Sequence, residues 1–552
     1  MSELKILPLG GMGKVTQNMY LYWYEDEILI VDCGIGFPDI YSPGVDVLIP
    51  DVAFLLRLIA EGKRIVGMIL THGHDDHIAA TGYILPQLPV FPIYASPLTA
   101  GFAQQRMTDG GVSREITVIK DHTPYKVGTH FEFSSLSVTH SVPDTKHFAI
   151  STPAGVVYHG TDFKIDPKPV DGVTVDMAYM KEIGDKGVLC MLLDCLRVEQ
   201  SEWVDSESSV GPTLDMLVQE TEGKVIATMM SSHIHRIQQT VDAAHAYGRK
   251  VAFVGRSVEQ NVKIALELNM LHIPDGTFID KEDIENTADN KLCIIVAGSQ
   301  GQEGSSLVRA VFGEHPLIQI APKDTVIFSA DAIPGNEVPY YGAIDELSRN
   351  GIQVRYPSIT PDLHKSGHGS APEQQEMVKL IHPDYVMPIG GADRHRVLFS
   401  SRVAEAVGMH KDQVLIPGSG EILSFENGQA RVTDKITLKI QAVDGLGVGD
   451  VGTQVLSDRL SLSESGIIVV IIPRIKGQLE LSDISVVSRG FVFMKDAGEV
   501  IKYIQDRTAE IVVSLKDAKD DELKRAIEKR LARSLYKIIR REPIILPVII
   551  EM

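Results

Sequence analysis

Short apolar runs, each ending on a polar residue, recur through the first two hundred positions of the chain. Glu27-Ile28-Leu29-Ile30-Val31 leads into Asp32-Cys33-Gly34, and Ile65-Val66-Gly67-Met68-Ile69-Leu70 leads into Thr71-His72. Leu136-Ser137-Val138-Thr139 ends at His140, and Val156-Val157-Tyr158 ends near Asp162. Runs this short and this rich in branched residues predict strands. Open α/β sheets place their sites at the carboxyl ends of strands, so one shared site is the economical explanation for four polar strand ends.

From about Ser206 the pattern becomes strand, loop, helix. Residues 224–230 predict a strand, followed by Ser231-Ser232-His233-Ile234-His235-Arg236 and a helix to Gly248. Residues 251–254 and 293–296 predict further strands, the second leading into Gly298-Ser299-Gln300-Gly301-Gln302-Glu303-Gly304. Such alternation implies a second α/β domain with a parallel sheet. The glycine-rich loop lacks the Gly-Lys-Ser/Thr ending of a nucleotide P-loop. Asp444-Gly445-Leu446-Gly447-Val448-Gly449-Asp450-Val451-Gly452 reads as a linker. Beyond it, strands are expected over 467–473 and 511–515. A helix is expected over 521–541, with Leu523, Ile527, Leu531 and Leu535 at helical spacing. Eight Lys or Arg residues share that helix with three acids, which reads as a solvated basic face or an RNA or subunit contact.

The length, 552 residues, suggests roughly three domains, and 44% hydrophobic content supplies ordinary cores. The longest apolar run, residues 466–472, is too short to span a bilayer. The first residues show no basic segment leading into an apolar stretch, so a soluble cytoplasmic protein is the expectation. Cys33, Cys190, Cys195 and Cys293 form no C-x-x-C pair and read as reduced core residues. A net charge of −20 argues against a general polyanion binder; a nucleic-acid enzyme of this charge needs a local positive groove, partly supplied by metal ions.

The most informative segment is His72-Gly73-His74-Asp75-Asp76-His77, an H-x-H-x-D-H pattern directly after a predicted buried strand. Imidazole and carboxylate together suit zinc, with manganese or magnesium as alternatives. Two-metal hydrolases hold their ions about 3.5–4 Å apart between bridging oxygens. His72 and His74 can grip one ion and Asp76 and His77 a second; His140 would complete the first site and Asp162 would bridge. Asp32 is expected behind the ligands, orienting a histidine.

These residues resemble the metallo-β-lactamase fold. The inserted second domain, with 232–239 and Gly255-Arg256-Ser257, resembles the β-CASP insertion of nucleic-acid-processing members. Thr139-His140-Ser141-Val142-Pro143-Asp144, Ile333-Pro334-Gly335-Asn336-Glu337, Ser366-Gly367-His368-Gly369-Ser370, Val443-Asp444-Gly445-Leu446-Gly447, Ser488-Arg489-Gly490-Phe491-Val492 and the tail 540–549 resemble the ribonuclease J family. The resemblance spans the chain. It implies an αββα sandwich (1–205 and 373–443) interrupted by a β-CASP domain (206–372), then a linker (444–462) and a small C-terminal α/β domain (463–552). It also implies a metal-dependent ribonuclease of RNA processing and decay, such as rRNA processing and mRNA decay. Such an enzyme has 5′→3′ exonuclease and endonuclease activity, uses a hydroxide activated between two ions, and assembles as a homodimer or tetramer through the C-terminal domain. The substrate would be single-stranded RNA with a preferred 5′-monophosphate, held by Ser232, His233, His235, His364, Ser366, Gly367, His368 and Ser370. A structural calcium ion near Asp46 and Asp444 belongs to the same expectation.

One departure matters. The family supplies a last histidine for the second ion in a Pro-x-His-Gly phrase; here the phrase is Met387-Pro388-Ile389-Gly390-Gly391. Glycine cannot ligate, so the second site should be weakened, with water filling the gap or His395 substituting. His233 stands where asparagine is expected. In 366–370, glycines allow close backbone approach, and Ser370-Ala371-Pro372-Glu373 is a capping box that aims a helix N-terminus into the segment, as phosphate sites require. His368 can protonate the leaving oxygen, joining Asp76 and His77 as catalytic residues. Two other readings compete. One is a catalytically weak RNA-binding scaffold subunit, motivated by Gly390; the other is a β-CASP nuclease acting on DNA.

Overall fold

The computed structural model describes residues 3–39, 41–445, 447–449, 451–491, 497–515 and 518–552. Leu446 and Asp450 of the expected linker, and Val492, lie outside the described residues. The chain divides into two compact units. One holds the N-terminal residues to Phe37 together with 49–439; the other joins 38–48 to 440–552.

The larger unit contains two facing sheets. The first has eight strands in the order Gln429–Lys435, Glu421–Glu426, Leu4–Pro8, Tyr20–Tyr24, Glu27–Val31, Arg64–Leu70, Ile93–Ala95, Ile116–Val118. The second has six, in the order Tyr385–Ile389, Cys190–Asp194, Gly155–His159, Lys146–Thr152, Phe131–Ser137, Tyr125–Val127. Leu29, Val31 and Ile69 from the first sheet and Phe133, Phe148, Val157 and Leu192 from the second share one buried cluster, the filling of the sandwich. Helices Met177–Asp185 and Ala371–Ile381 pack their apolar stripes on the outer face of the second sheet, through Met180, Ile183, Met377 and Ile381. Strands buried on both faces read as near-continuous apolar runs, which is why Glu27–Val31 was legible.

Between the strands Cys190–Asp194 and Tyr385–Ile389 the chain builds a separate sheet. Its five strands, ordered Lys250–Val254, Leu292–Val296, Val225–Thr228, Thr325–Phe328, Gln353–Arg355, are all parallel, with helices between them. This is the alternating pattern expected after Ser206.

In the smaller unit, Ile467–Ile475 pairs antiparallel with Ser485–Arg489 and Gln478–Leu479, and parallel with Ile544–Glu551. Helices Ala497–Ser514 and Asp520–Ile539 cover that sheet through Ile504, Ile511, Leu523, Ile527, Leu531 and Leu535. The strand expected over 511–515 is not there: Ile511-Val512-Val513 lies in the helix. The β-branched run suggested a strand, but Ile504, Thr508, Ile511 and Val512 recur at helical spacing and all are buried. Burying that face against the sheet outweighs the local β preference. A helix, Thr453–Ser465, occupies part of the expected linker, and Gln441–Asp444 pairs with Gly447–Val448. Asp46 N donates to Val443 O at 2.9 Å, tying the early segment 38–48 into this unit. Among the described residues no helix is long and apolar enough to cross a membrane.

Candidate metal centre

Six strand ends converge. Asp32 follows Glu27–Val31 and Thr71-His72 follows Arg64–Leu70, and these two strands are parallel neighbours. His74, Asp76 and His77 lie on the turn and the four-residue helix Asp75–Ile78 that come next. His140 follows Phe131–Ser137, Asp162 follows Gly155–His159, Asp194 closes Cys190–Asp194, and Gly390 follows Tyr385–Ile389.

Asp162 is the hub. Its Oδ2 stands 3.7 Å from His72 Nε2, 3.8 Å from His140 Nε2, 3.6 Å from His77 Nε2 and 3.9 Å from His368 Nε2. His74 Nδ1 lies 3.2 Å from His72 Nε2 and 3.1 Å from His140 Nε2. One ligand atom each from His72, His74, His140 and Asp162 falls within 4.8 Å of all the others. Atoms bound to one ion at about 2.0–2.2 Å can stand no more than about 4.4 Å apart, so small adjustments close this shell. The second group is looser. His77 Nε2 is 3.7 Å from Asp76 Oδ2, and Asn18 Nδ2 stands 3.0 Å from the same ring nitrogen.

The rings are held from behind. His140 Nδ1 donates to Gly367 O at 2.6 Å, and His77 Nδ1 donates to Asp32 Oδ2 at 2.7 Å. His72 Nδ1 lies 3.0 Å from Thr71 Oγ1, whose hydroxyl donates to Asp32 Oδ2. His368 Nδ1 donates to Asp194 Oδ2 at 2.7 Å. For His72 and His140 the far nitrogen carries the proton, leaving Nε2 with its lone pair toward Asp162, whereas, against burial, Asp76 and then Asp162 and Asp32 favour the protonated form of His77. This is how metal-binding imidazoles are oriented. The turn after Asp32 fits only glycine: a Cβ on Gly34 would stand 1.5 Å from Asp76 O.

Electrostatics agree with a cation site. Burial first, then neighbouring rings, holds His72 and His140 well below the usual imidazole range, and burial takes His74 to about 3. These three are therefore neutral donors. Burial opposes ionisation of Asp162, but His368 and then His77 outweigh it and hold the carboxyl well below its usual range. Burial raises Asp76 to about 6. Burial works against the protonated form of His368, yet Asp194 and then Asp162 outweigh it and lift the ring to about 9. A concave donor set of neutral imidazoles around a carboxylate fits a divalent ion.

The remaining expected site residues fall in two groups. Gly367 contributes its carbonyl to His140, and Ser366 Oγ accepts from His368 N at 3.1 Å. Ser370 is fully buried, its hydroxyl and N–H both donating to Glu373 Oε2, so it serves the helix start rather than an open pocket. Ser232 and His233 are buried, and His233 Nε2 is 3.4 Å from Glu207 Oε1. His235 stands 3.1 Å from Asp171 and borders a cavity of about 490 Å³ that also reaches His140. His364 Nδ1 accepts from Arg236, which is wholly buried and grips Glu207 through two hydrogen bonds of 2.8 and 2.7 Å. His395 does not approach the second group: its Nδ1 accepts from Ala392 N and its Nε2 faces Glu199.

Sequence reasoning missed Asp194, Asn18, Glu207 and Arg236. Asp194 had a usable signal, since Cys190-Met191-Leu192-Leu193-Asp194 is another apolar run ending on a carboxylate. Arg236 lies in the segment 232–239 that carries the β-CASP resemblance, but no role was read for it; Asn18 and Glu207 had no signal, because only folding brings them to their partners.

Comparison with known proteins decides the family. Residues 12–169 match the metallo-β-lactamase superfamily, 222–347 the ribonuclease J β-CASP domain, and 454–552 the ribonuclease J C-terminal domain. Ribonuclease J 1 of Streptococcus pyogenes is 33% identical over 554 residues, covering 100% of this chain and 98% of the relative. The chain belongs to the ribonuclease J family. Ribonuclease J of Thermus thermophilus is 35% identical over 559 residues, covering 100% of this chain and 95% of its own. Ribonuclease J2 of Bacillus subtilis is 32% identical over 557 residues, covering 100% and 99%. A solved structure from Enterococcus faecalis, a protein of unknown function, shares the fold at 14% identity and a TM-score of 0.53, over 76% of this chain and 100% of that one.

Two buried histidines outside the metal group set an acid limit on the ribonuclease J fold seen here. His147, between Tyr158 and Thr161, and His159, beside Tyr22, are each pushed to about 3, by burial above all. In the unfolded chain they take protons near pH 6.5. The stability they allow is thus present above about pH 6.5 and falls as pH drops toward 3, by about 2 kcal/mol for each ring between pH 7 and 5. His368 has the opposite sign in metal-free protein: its contribution is present below about pH 6.5 and lost as pH climbs through 9. Urea midpoints in chelator at pH 5, 7 and 9.5 should peak at the middle value; a midpoint that rose from pH 7 to 5 would refute the assignment.

Proposed function

We propose that this chain is a metal-dependent ribonuclease with 5′→3′ exonuclease and endonuclease activity in RNA processing and decay. The observation that carries the reading is Asp162 Oδ2 at 3.6–3.9 Å from four imidazole nitrogens, on a chain of this family. His72, His74, His140 and Asp162 hold a first divalent ion; Asp76, His77 and Asp162 hold a second, more weakly, because Gly390 offers no ligand and Asn18 shares His77 Nε2. Bound there, such ions, zinc before manganese or magnesium, supply Lewis acidity and a means of activating water at neutral pH. Asp32 orients His77. His368, set by Asp194 and protonated near neutral pH, delivers a proton to the leaving 3′ oxygen. The intact motif favours this over a scaffold subunit, and the C-terminal match favours RNA over DNA. Metal counting on purified protein, paired with digestion of 5′-phosphorylated RNA, tests it: metal-bound protein that leaves RNA intact would overturn it.

Ser366 and His368 surround a 5′-monophosphate, with Ser232, His233, His235 and His364 farther along the strand. Ser370 acts only by fixing the start of the helix Ala371–Ile381. Ser366→Ala removes one hydrogen bond to a charged group, about 1.5–3 kcal/mol or roughly tenfold or more in binding. The loss should fall on 5′-end-dependent decay more than on internal cleavage. Equal decay of monophosphorylated and triphosphorylated RNA by the unaltered protein would refute the pocket.

Assembly as a homodimer or tetramer through the C-terminal unit completes the reading, in the cytoplasm. Sedimentation of the full chain at micromolar concentration should give two or four chain masses; a single-chain mass would remove this part. A calcium ion at Asp46 and Asp444 has less support, since Asp444 pairs with Arg459 and Asp46 Oδ2 accepts from Gly445 N.

A further inference from the structure

The helix Asp520–Ile539 has one apolar face and one cationic face. Leu523, Ile527, Leu531 and Leu535 are all at most 3% exposed and lock the helix onto its sheet. Roughly opposite them, at four-residue steps, stand Arg525, Lys529, Arg533 and Lys537, all exposed. Tyr536, 43% exposed, lies on the same side, with the Arg540 guanidinium 5.4 Å from its ring centre.

Among the described residues no carboxylate forms an ion pair with Arg525, Lys529, Arg533 or Lys537, although in the same unit Arg474 pairs with Asp520 and Glu551, and Arg507 with Glu510. Residues 440–552 carry 17 Lys or Arg and 17 Asp or Glu, so the whole deficit of −20 arises elsewhere in the chain. A solvated helix that needed only solubility would intersperse acids at four-residue spacing, where each opposite pair adds a few tenths of a kcal/mol. Here like charges stand at that spacing and repel, which costs a similar amount. A polyanion laid along the stripe turns that cost into attraction. Four cations at steps of about 6 Å span about 18 Å along a rigid axis, which suits the backbone of an extended single strand. An exposed aromatic beside them offers a face on which a base can stack.

We infer that the Arg525–Lys529–Arg533–Lys537 stripe, with Tyr536, is a binding surface for the sugar-phosphate backbone of single-stranded RNA, separate from the metal centre. The inference rests on the ribonuclease reading for its ligand. It assigns affinity for long substrates, without sequence preference, to the C-terminal unit.

The test uses the full chain without divalent metal, so that binding is read without cleavage. Affinity for a single-stranded RNA of about 30 nucleotides is measured against salt for the unaltered protein and for Arg525→Gln/Lys529→Gln/Arg533→Gln. Each phosphate contact on a single strand contributes about 0.7 to the slope of log K against log salt. The triple variant should lose about 2 from that slope and bind on the order of tenfold to a hundredfold more weakly at about 0.1 M salt. Tyr536→Ala should weaken binding by about fivefold or more without changing the slope. A control with the same loss of charge, Lys181→Gln/Lys186→Gln/Lys263→Gln at three exposed lysines of the other unit, should keep the slope. An unchanged slope in the stripe variant overturns the inference. So does a stripe variant that binds RNA normally but sediments as a smaller assembly, which would give the surface to a second copy of the chain. If the unaltered protein itself bound no RNA, the ribonuclease reading would be the one to fail.

Discussion

Asp162→Asn leaves a folded protein that holds neither ion well and cleaves RNA at least about a thousandfold more slowly. Four imidazole nitrogens face this one oxygen, two of them, on His72 and His140, belonging to rings that burial keeps neutral. In the first donor set, His72, His74 and His140 bring no charge, so Asp162 supplies all the negative charge offered to that ion. Asparagine keeps the shape and removes the charge, and with it several kcal/mol of transition-state stabilisation that a bound ion provides. About 4 kcal/mol corresponds to a thousandfold in rate. Metal content by elemental analysis, single-turnover cleavage and a melting curve should be read together. Two ions retained with a rate within tenfold of the parent would sink the central role given to Asp162.

Gly390→His should have the opposite effect on the weaker ion. The backbone there has φ of 65°, which suits glycine, but histidine is among the residues that visit this region. An added Cβ would meet Asp162 Oδ1 at 3.6 Å and Asp194 Oδ1 at 3.7 Å, ordinary contacts with two carboxylates and no clash. The imidazole would therefore enter the second donor group beside Asp162. The expected cost is about 1–2 kcal/mol of backbone strain in metal-free protein. The expected gain is a second ion held on the order of tenfold to a hundredfold more tightly. Metal titration with a chromophoric chelator measures the gain, and melting in chelator measures the cost. If the parent already bound two ions with equal affinity, Asp194 or His368 would have to be ligands, and the weakness assigned to glycine would be wrong.

Much of this site was legible because the chemistry lies at the ends of strands whose apolar runs stand out. Asp32, His72, His140 and Asp162 each follow such a run, and the H-x-H-x-D-H spacing marks the turn between them. Ser370 shows where local reading stops. Its capping pattern correctly gave the start of the helix Ala371–Ile381, but the pattern does not say that the hydroxyl is buried against Glu373. Burial depends on Ile165 and Val204, whose N–H groups also donate to Glu373 from distant parts of the chain. Asp194 escaped notice because its run ends in a lone carboxylate with no motif around it, and its partner His368 is 174 residues away. The run 511–513 misled for a different reason: three β-branched residues dominate a short window, whereas the helical stripe of Ile504, Thr508 and Ile511 needs a longer one.

The joining of 38–48 to 440–552 sets a timetable for biosynthesis. The segment around Asp46 leaves the ribosome early, yet Val443, whose carbonyl receives its N–H, is made about 400 residues later. At about 5–20 residues per second the early segment waits roughly 20–80 s for its partner. Throughout that interval Val45 and Leu48, which end up beside Ala442, Val451 and Leu456, have no native surface to cover them. A nascent chain stalled before residue 440 should therefore be cut by protease within 38–48 while its sandwich core resists, and release of the complete chain should close that site.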